Sequence, residues 1–168
     1  TRLMQGLARP LPLYLGALMH DAAKGGGTGH AERGAALMRR VAERLALEPR
    51  EAADAEFLVR EHLLMSHVSQ RRDLSDPALI ASFARQVGDA DRLLMLYLLT
   101  FADMSSVAPG TWNAWRARLL EELFVKASAA LEGGAGADPG RRAERLAAGL
   151  ARRLDPAEVE TFLAVMPE

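Results

Sequence analysis

Apolar residues recur along this chain at spacings of three and four. No stretch alternates with the period of two that a strand needs, so helix is the reading throughout. Pro10 and Pro12 precede a first helix over residues 13–24, stopped by Gly25, Gly26 and Gly27. A second helix spans residues 30–47, with Ala31, Ala35, Met38, Val41, Ala42 and Leu45 along one face. Pro49 opens a third over residues 50–65, and a polar loop over residues 66–75 follows it. Asp76 stands as an N-cap before Pro77, starting a short helix to residue 87. The segment 89–104 contains the run Leu93-Leu94-Met95-Leu96-Tyr97-Leu98-Leu99 and is apolar nearly all round, which places it at the centre of a bundle. Pro109-Gly110 interrupts, and residues 111–131 form a long amphipathic helix carrying Trp112 and Trp115.

Glycine marks the clearest break, at Gly133-Gly134-Ala135-Gly136-Ala137-Asp138-Pro139-Gly140. Beyond it an Arg-rich helix covers residues 141–154, and a last one is introduced by Asp155-Pro156, with Glu158 where a capping-box acid would sit. The 168 residues fit one domain with a real core. Lys plus Arg number 21 against 22 Asp plus Glu, so no global field draws the chain to nucleic acid or an anionic membrane. There are no cysteines, which excludes disulfides and thiolate chemistry and leaves nitrogen and oxygen as the donors for any metal. Residues 1–9 lack the layout of a signal peptide, and no apolar run approaches the length of a membrane span; a cytoplasmic home is expected. A first residue of Thr rather than Met suggests a chain that begins inside a longer protein.

Only four histidines exist, so each can be weighed. His20 and Asp21 are adjacent near the end of the first helix, on faces that border the core. An aspartate there opposes the helix dipole, and a bound cation would reverse that penalty; a solvated helix end is the alternative. His62 continues the apolar stripe of Ala55, Leu58 and Val59, as a ligand or as a hydrogen-bonded core histidine. His30 starts the second helix just past the glycines, where an exposed side chain is the plainer reading. Asp103 follows the central apolar helix on the face of Leu96, Leu99 and Thr100; burying its charge requires a partner or a metal, unless it is bonded to Ser105 or Ser106 at a fraying end. Together these five side chains would suit one or two divalent cations. The chain lacks His-Glu-x-x-His, Gly-x4-Gly-Lys-Ser/Thr and Gly-x-Ser-x-Gly, and its glycine run follows a helix, the wrong context for dinucleotide binding.

The stretch Ala17-Leu18-Met19-His20-Asp21-Ala22-Ala23-Lys24-Gly25 resembles the signature of the HD superfamily of metal-dependent phosphohydrolases. Its neighbours sharpen the likeness: Gly26-Gly27-Thr28-Gly29-His30, Leu58-Val59-Arg60-Glu61-His62-Leu63-Leu64-Met65-Ser66, Gln70-Arg71-Arg72-Asp73-Leu74-Ser75-Asp76-Pro77, Leu99-Thr100-Phe101-Ala102-Asp103 and Trp112-Asn113-Ala114-Trp115. In this order and spacing they are similar to the HD domain of the uridylyltransferase/uridylyl-removing enzymes of nitrogen signalling, strongly over residues 13–124.

That resemblance implies an all-α HD-type helical bundle over residues 1–132, a Gly-rich linker over 133–140, and a short helical appendage over 141–168 leading towards a following domain. In the family the HD domain lies between a nucleotidyltransferase domain and two ACT domains, which sense glutamine. It removes UMP from a tyrosine of the PII protein. Carried over by position, His20, Asp21 and Asp103 are the catalytic centre and first metal ligands, His30 and His62 complete a second metal site, and Lys24, Arg71 and Arg72 are phosphate contacts unless they are merely solvated cations. His67 matches no family ligand. The implied cofactor is a divalent cation, Mn or Mg foremost, with Fe or Zn compatible. HD domains usually take a further histidine from a preceding helix. None stands before His20, so the domain is expected to be truncated at its N-terminus, which puts full coordination of the first ion and the fragment's own activity in question. An HD-type nucleotidase, a cyclic-nucleotide phosphodiesterase and a non-catalytic helical module are the alternatives.

Overall fold

The computed structural model describes residues 7–26, 28–106 and 112–133, and every regular element among them is helical. Helix α1 is Leu11–Met19, α2 His30–Arg44, α3 Pro49–Glu61, α4 Leu64–Arg71, α5 Pro77–Val87, α6 Ala90–Ser106 and α7 Ala114–Gly133. The expected linker at 133–140 and the helices at 141–154 and after 155 lie outside the described residues, apart from Gly133 at the end of α7. Among the described residues no helix is long and apolar enough to cross a membrane.

Several boundaries follow from local chemistry. Asp76 accepts a hydrogen bond from the Ala78 N–H (2.8 Å) with Pro77 at the first helical position, and Gly88 at φ 95° ends α5. Asp89 Oδ1 accepts from the Arg92 N–H (2.9 Å) and so caps α6. Asn113 Oδ1 does the same for α7 through Arg116 (2.9 Å). Helix α7 therefore starts later than the sequence suggested, and Trp112 precedes it, packed edge-on against Phe101.

Other helix ends also need correction, and the second helix stops at Arg44 rather than 47. The first helix stops at Met19, not Lys24. His20 Nδ1–H donates to the Ala17 carbonyl (2.9 Å), and the chain then tightens through Ala22 N–H to Met19 O and Lys24 N–H to Asp21 O. Lys24 itself lies in a short 3-10 turn, Lys24–Gly26. Similarly, the third helix stops at Glu61 rather than 65, and the expected polar loop at 66–75 is mostly helix α4. His62 Nδ1–H takes the Val59 carbonyl (2.7 Å), breaking the helix at His62-Leu63. In α4 the hydroxyls of Ser66 and Ser69 donate to the carbonyls of Leu63 and Ser66, while Met65 and Ser69 are buried one turn apart. The serines that read as a loop serve a helix.

As its pattern required, α6 is central: Leu93, Met95, Leu96, Tyr97 and Leu99 are all buried. They pack with Leu13, Phe57, Leu58, Met65, Phe83, Leu120, Leu123 and Phe124 in one core. Each such side chain contributes about 1.5–3 kcal/mol by leaving water. Helix α2 packs on the other side of α3, through Met38, Ala42, Ala55 and Val59. Two glycines set how closely the outer helices approach α3. A Cβ on Gly16 of α1 would meet Leu58 Cβ at 3.0 Å, and one on Gly34 of α2 would meet Val59 Cγ1 at 2.9 Å. Leu58 and Val59 lie one turn before His62, so these close crossings bring the end of α1 and the start of α2 to the end of α3.

A buried carboxylate ties α3 to α6. Asp54, 1% exposed, accepts from Arg50 Nε (2.8 Å) and Arg92 Nε (2.6 Å), and Arg50 also pairs with Asp89. The Arg92 guanidinium lies over the Phe57 ring at 5.0 Å. The i, i+4 spacing of Arg50 and Asp54 was visible in the sequence, but its burial was not.

Candidate metal centre

The histidines and aspartates singled out in the sequence project from helix ends that the packing gathers on one side of the bundle. His20 follows the last turn of α1 with Asp21 beside it, His30 opens α2, His62 follows α3, and Asp103 lies near the end of α6. The His62 ring stands between the other two, with centroids 5.4 Å from His20 and 5.3 Å from His30.

Asp21 faces both ways. Its Oδ1 lies 4.0 Å from His30 Nε2 and 4.0 Å from His62 Nε2, while its Oδ2 lies 3.6 Å from His20 Nε2. His20 Nε2 is in turn 3.6 Å from Asp103 Oδ1. Donor atoms sharing one tetrahedral ion at about 2.1 Å stand about 3.4 Å apart, so the spacings are slightly wider than a closed shell. The donor atoms of Asp21, His30 and His62 all lie within 4.8 Å of one another.

Tautomers favour ligation. His20 and His62 each donate Nδ1–H to a carbonyl of the preceding turn, which leaves the Nε2 lone pair directed at the cluster. His30 Nε2 and His62 Nε2 face each other at 3.4 Å. Two ring nitrogens that close require a proton or a cation between them, and the donor set of imidazole nitrogens and carboxylate oxygens fits a borderline divalent ion.

The electrostatics differ from one histidine to the next. His62 is buried, which lowers its pKa, and neighbouring His20 and His30 lower it further. It is therefore neutral near pH 7. His20 is raised, chiefly by the Asp103 carboxylate 3.6 Å from its Nε2, against the opposing effect of burial. Reciprocally, the His20 contact holds the Asp103 carboxyl below its usual value, against desolvation. Asp103 is half-buried, and its carboxylate does not take the serines: Ser105 Oγ donates to Phe101 O and Ser106 Oγ to the backbone carbonyl of Asp103.

Lys24 joins the cluster through its ammonium, 2.6 Å from Asp21 Oδ2, and is otherwise exposed. Arg71 and Arg72 are exposed at the end of α4 and make no ion pair with the described residues. Gln70 Nε2 donates to Met104 Sδ at 3.8 Å, which sets the end of α4 against the residue after Asp103. His67 points outward from α4, away from the core. Arg33 was overlooked in the sequence; it donates to the carbonyls of Thr28 and Ala23, and its place one turn after His30 was the available signal.

Three comparisons relate the chain to known proteins. The family model described as "HD domain" matches residues 1–96. The bifunctional uridylyltransferase/uridylyl-removing enzyme of Bordetella parapertussis is 55% identical over 138 residues, 82% of this chain and 16% of that protein. The enzyme of the same name from Thiobacillus denitrificans is 41% identical over 167 residues, 99% of this chain and 19% of that protein, and that from Caulobacter vibrioides is 41% identical over 133 residues, 79% of this chain and 14% of that protein. The chain thus spans less than a fifth of the length of these relatives. No solved structure matches it.

Proposed function

This chain belongs to the HD-domain family, and we propose that it is the hydrolytic part of a uridylyl-removing enzyme, cleaving the tyrosyl–UMP phosphodiester of the PII protein. The observation that supports this reading is the convergence of three imidazoles on the Asp21 carboxylate, with the Asp103 carboxylate against His20. His20, Asp21 and Asp103 would hold one divalent cation, and Asp21, His30 and His62 a second, with Asp21 offering one oxygen to each. Mn or Mg suits the carboxylates and Fe or Zn the imidazoles. A cation there would supply a lowered pKa for water and polarisation of the phosphoryl oxygens.

The protein's own groups do the rest. The Nδ1–H bonds of His20 and His62 to backbone carbonyls fix the tautomer and orientation of both rings. Burial keeps His62 neutral, as a ligand must be. Lys24 brings a positive charge beside Asp21, and the exposed Arg71 and Arg72 at the end of α4 are the further candidate contacts for the phosphodiester. Tyrosinate, with a phenol pKa of about 10, is a leaving group that needs little acid assistance. The nucleotidyltransferase and ACT domains of the parent would supply attachment and glutamine sensing.

The test is hydrolysis of uridylylated PII by the full-length parent and its Asp103→Ala variant, with free and cyclic nucleotides alongside. Loss of metal-dependent UMP release by about 100-fold or more is expected for a direct metal ligand, since losing even a partner that orients one costs about 10–100-fold. A variant as fast as wild type overturns the site. Nucleotide hydrolysis without action on PII redirects the reading to a nucleotidase. A protein that ignores added Mn is a helical module.

A further inference from the structure

Asp21 and His30 are joined by an eight-residue segment rich in glycine. Four of its eight residues are glycine, Gly25, Gly26, Gly27 and Gly29, and ordering glycine carries the largest backbone entropy cost of any residue. A Cβ added at Gly25 would meet nothing within 4 Å, so no packing fixes the chain there. Gly29 adopts φ 75°, a conformation that favours glycine and aims the chain into α2.

Resting on the metal-centre reading above, we propose that Arg33 is a positioning residue whose guanidinium clamps the two ends of the glycine segment and thereby holds His30 in register with Asp21 and His62. One nitrogen, Nη1, donates to the carbonyl of Thr28 and the other, Nη2, to the carbonyl of Ala23 at 3.2 Å. These carbonyls flank the glycine run, one two residues after Asp21 and the other two residues before His30. The planar fork of a guanidinium meets two acceptors at once, which the single ammonium of lysine does less well. Arg33 stands one turn after His30 on α2, so the clamp and the ligand share a rigid base, and both ends of the segment are referred to it. Its own backbone N–H donates to Gly29 O at 3.2 Å, closing the first turn at the same place. No ligand atom of the cluster touches Arg33 in these contacts; its effect passes through where His30 sits.

The test measures Mn affinity of the chelator-stripped and reloaded chain by the electron paramagnetic resonance of free Mn, for wild type, Arg33→Met and Arg33→Lys. Losing two neutral-acceptor hydrogen bonds predicts affinity about five- to tenfold weaker for Arg33→Met, with Arg33→Lys in between. In a His30→Ala background the Arg33→Met effect should vanish, because the ligand it positions is gone. A merely stabilising arginine would instead weaken binding equally in both backgrounds, and that result overturns the proposal, as does wild-type affinity in Arg33→Met. A second readout needs no metal: tryptic cleavage after Lys24 should be several-fold faster in metal-free Arg33→Met than in wild type. If wild type takes up no Mn, the metal reading and the role assigned to Arg33 within it both fall. Faster cleavage would then show the clamp alone, and unchanged cleavage would remove that too.

Discussion

Gly34 is the point where three ligand-bearing helices meet, and replacing it with alanine tests the packing that builds the cluster. The new Cβ would stand 2.9 Å from Val59 Cγ1, and 3.8 and 3.9 Å from the carbonyls of Met19 and His20. Only the first contact is a clash. Val59 is fully buried and β-branched, with one strongly preferred rotamer in a helix, so it cannot turn aside. Helix α2 must lift away from α3 by roughly 0.5–1 Å to restore ordinary contact. Overpacking of this kind costs about 1–3 kcal/mol. The better helix propensity of alanine returns about 0.5–1 kcal/mol, leaving a net loss of about 1 kcal/mol. His30 rides on the same helix one turn away, so the shift also moves a donor atom, and Mn binding should weaken with stability. Urea unfolding followed by helical circular dichroism measures the first effect and Mn titration the second. The decisive variant is Gly34→Ala with Val59→Ala, which removes the clashing methyl. Its stability should exceed the sum of the single losses by about 1 kcal/mol or more, with Mn affinity recovering. Strict additivity would refute the claim that this one contact sets the separation of α2 and α3.

Two further outcomes are expected. Asp54→Ala strands Arg92 without its carboxylate beside Phe57, and should destabilise the fold by about 3 kcal/mol in denaturant unfolding; a loss under about 1 kcal/mol would mean that the buried pair is energetically idle. In metal-free protein, imidazole NMR titrations should place His20 above and His62 below the ordinary value of about 6.5. The signs for stability are opposite: the share from His62 is present above the unfolded value and lost as pH falls through its lower folded one, whereas the share from His20 is present below the unfolded value and lost as pH rises through its higher folded one. The reverse order of titration would contradict the geometry around Asp103.

Much of this was legible in the sequence because helix burial writes a strong period. The unbroken apolar face of α6 placed it at the centre before any coordinate did, and Asp76-Pro77 marked the start of α5 by cap chemistry alone. The helix ends were less legible. His20 and His62 each bond a carbonyl of the turn before, and such a side-chain bond stops a helix without any glycine or proline to announce it. The serines of α4 misled for a related reason, since their hydroxyls bond within the helix that their composition argued against. The five cluster residues were each ambiguous alone, and motif order rather than periodicity singled them out. Their approach depends on close helix crossings at Gly16 and Gly34, contacts between segments that no local pattern encodes.

The cluster residues all hang from places where helices start or stop. Backbone there has fewer internal partners than in a helix middle and is the first to open in thermal fluctuation. A ligand that gathers these residues would quench motion at four termini at once while leaving the helix centres as they were. Amide exchange should then slow in four short patches scattered along the chain, a pattern unlike the broad protection expected when a ligand simply stabilises the whole bundle.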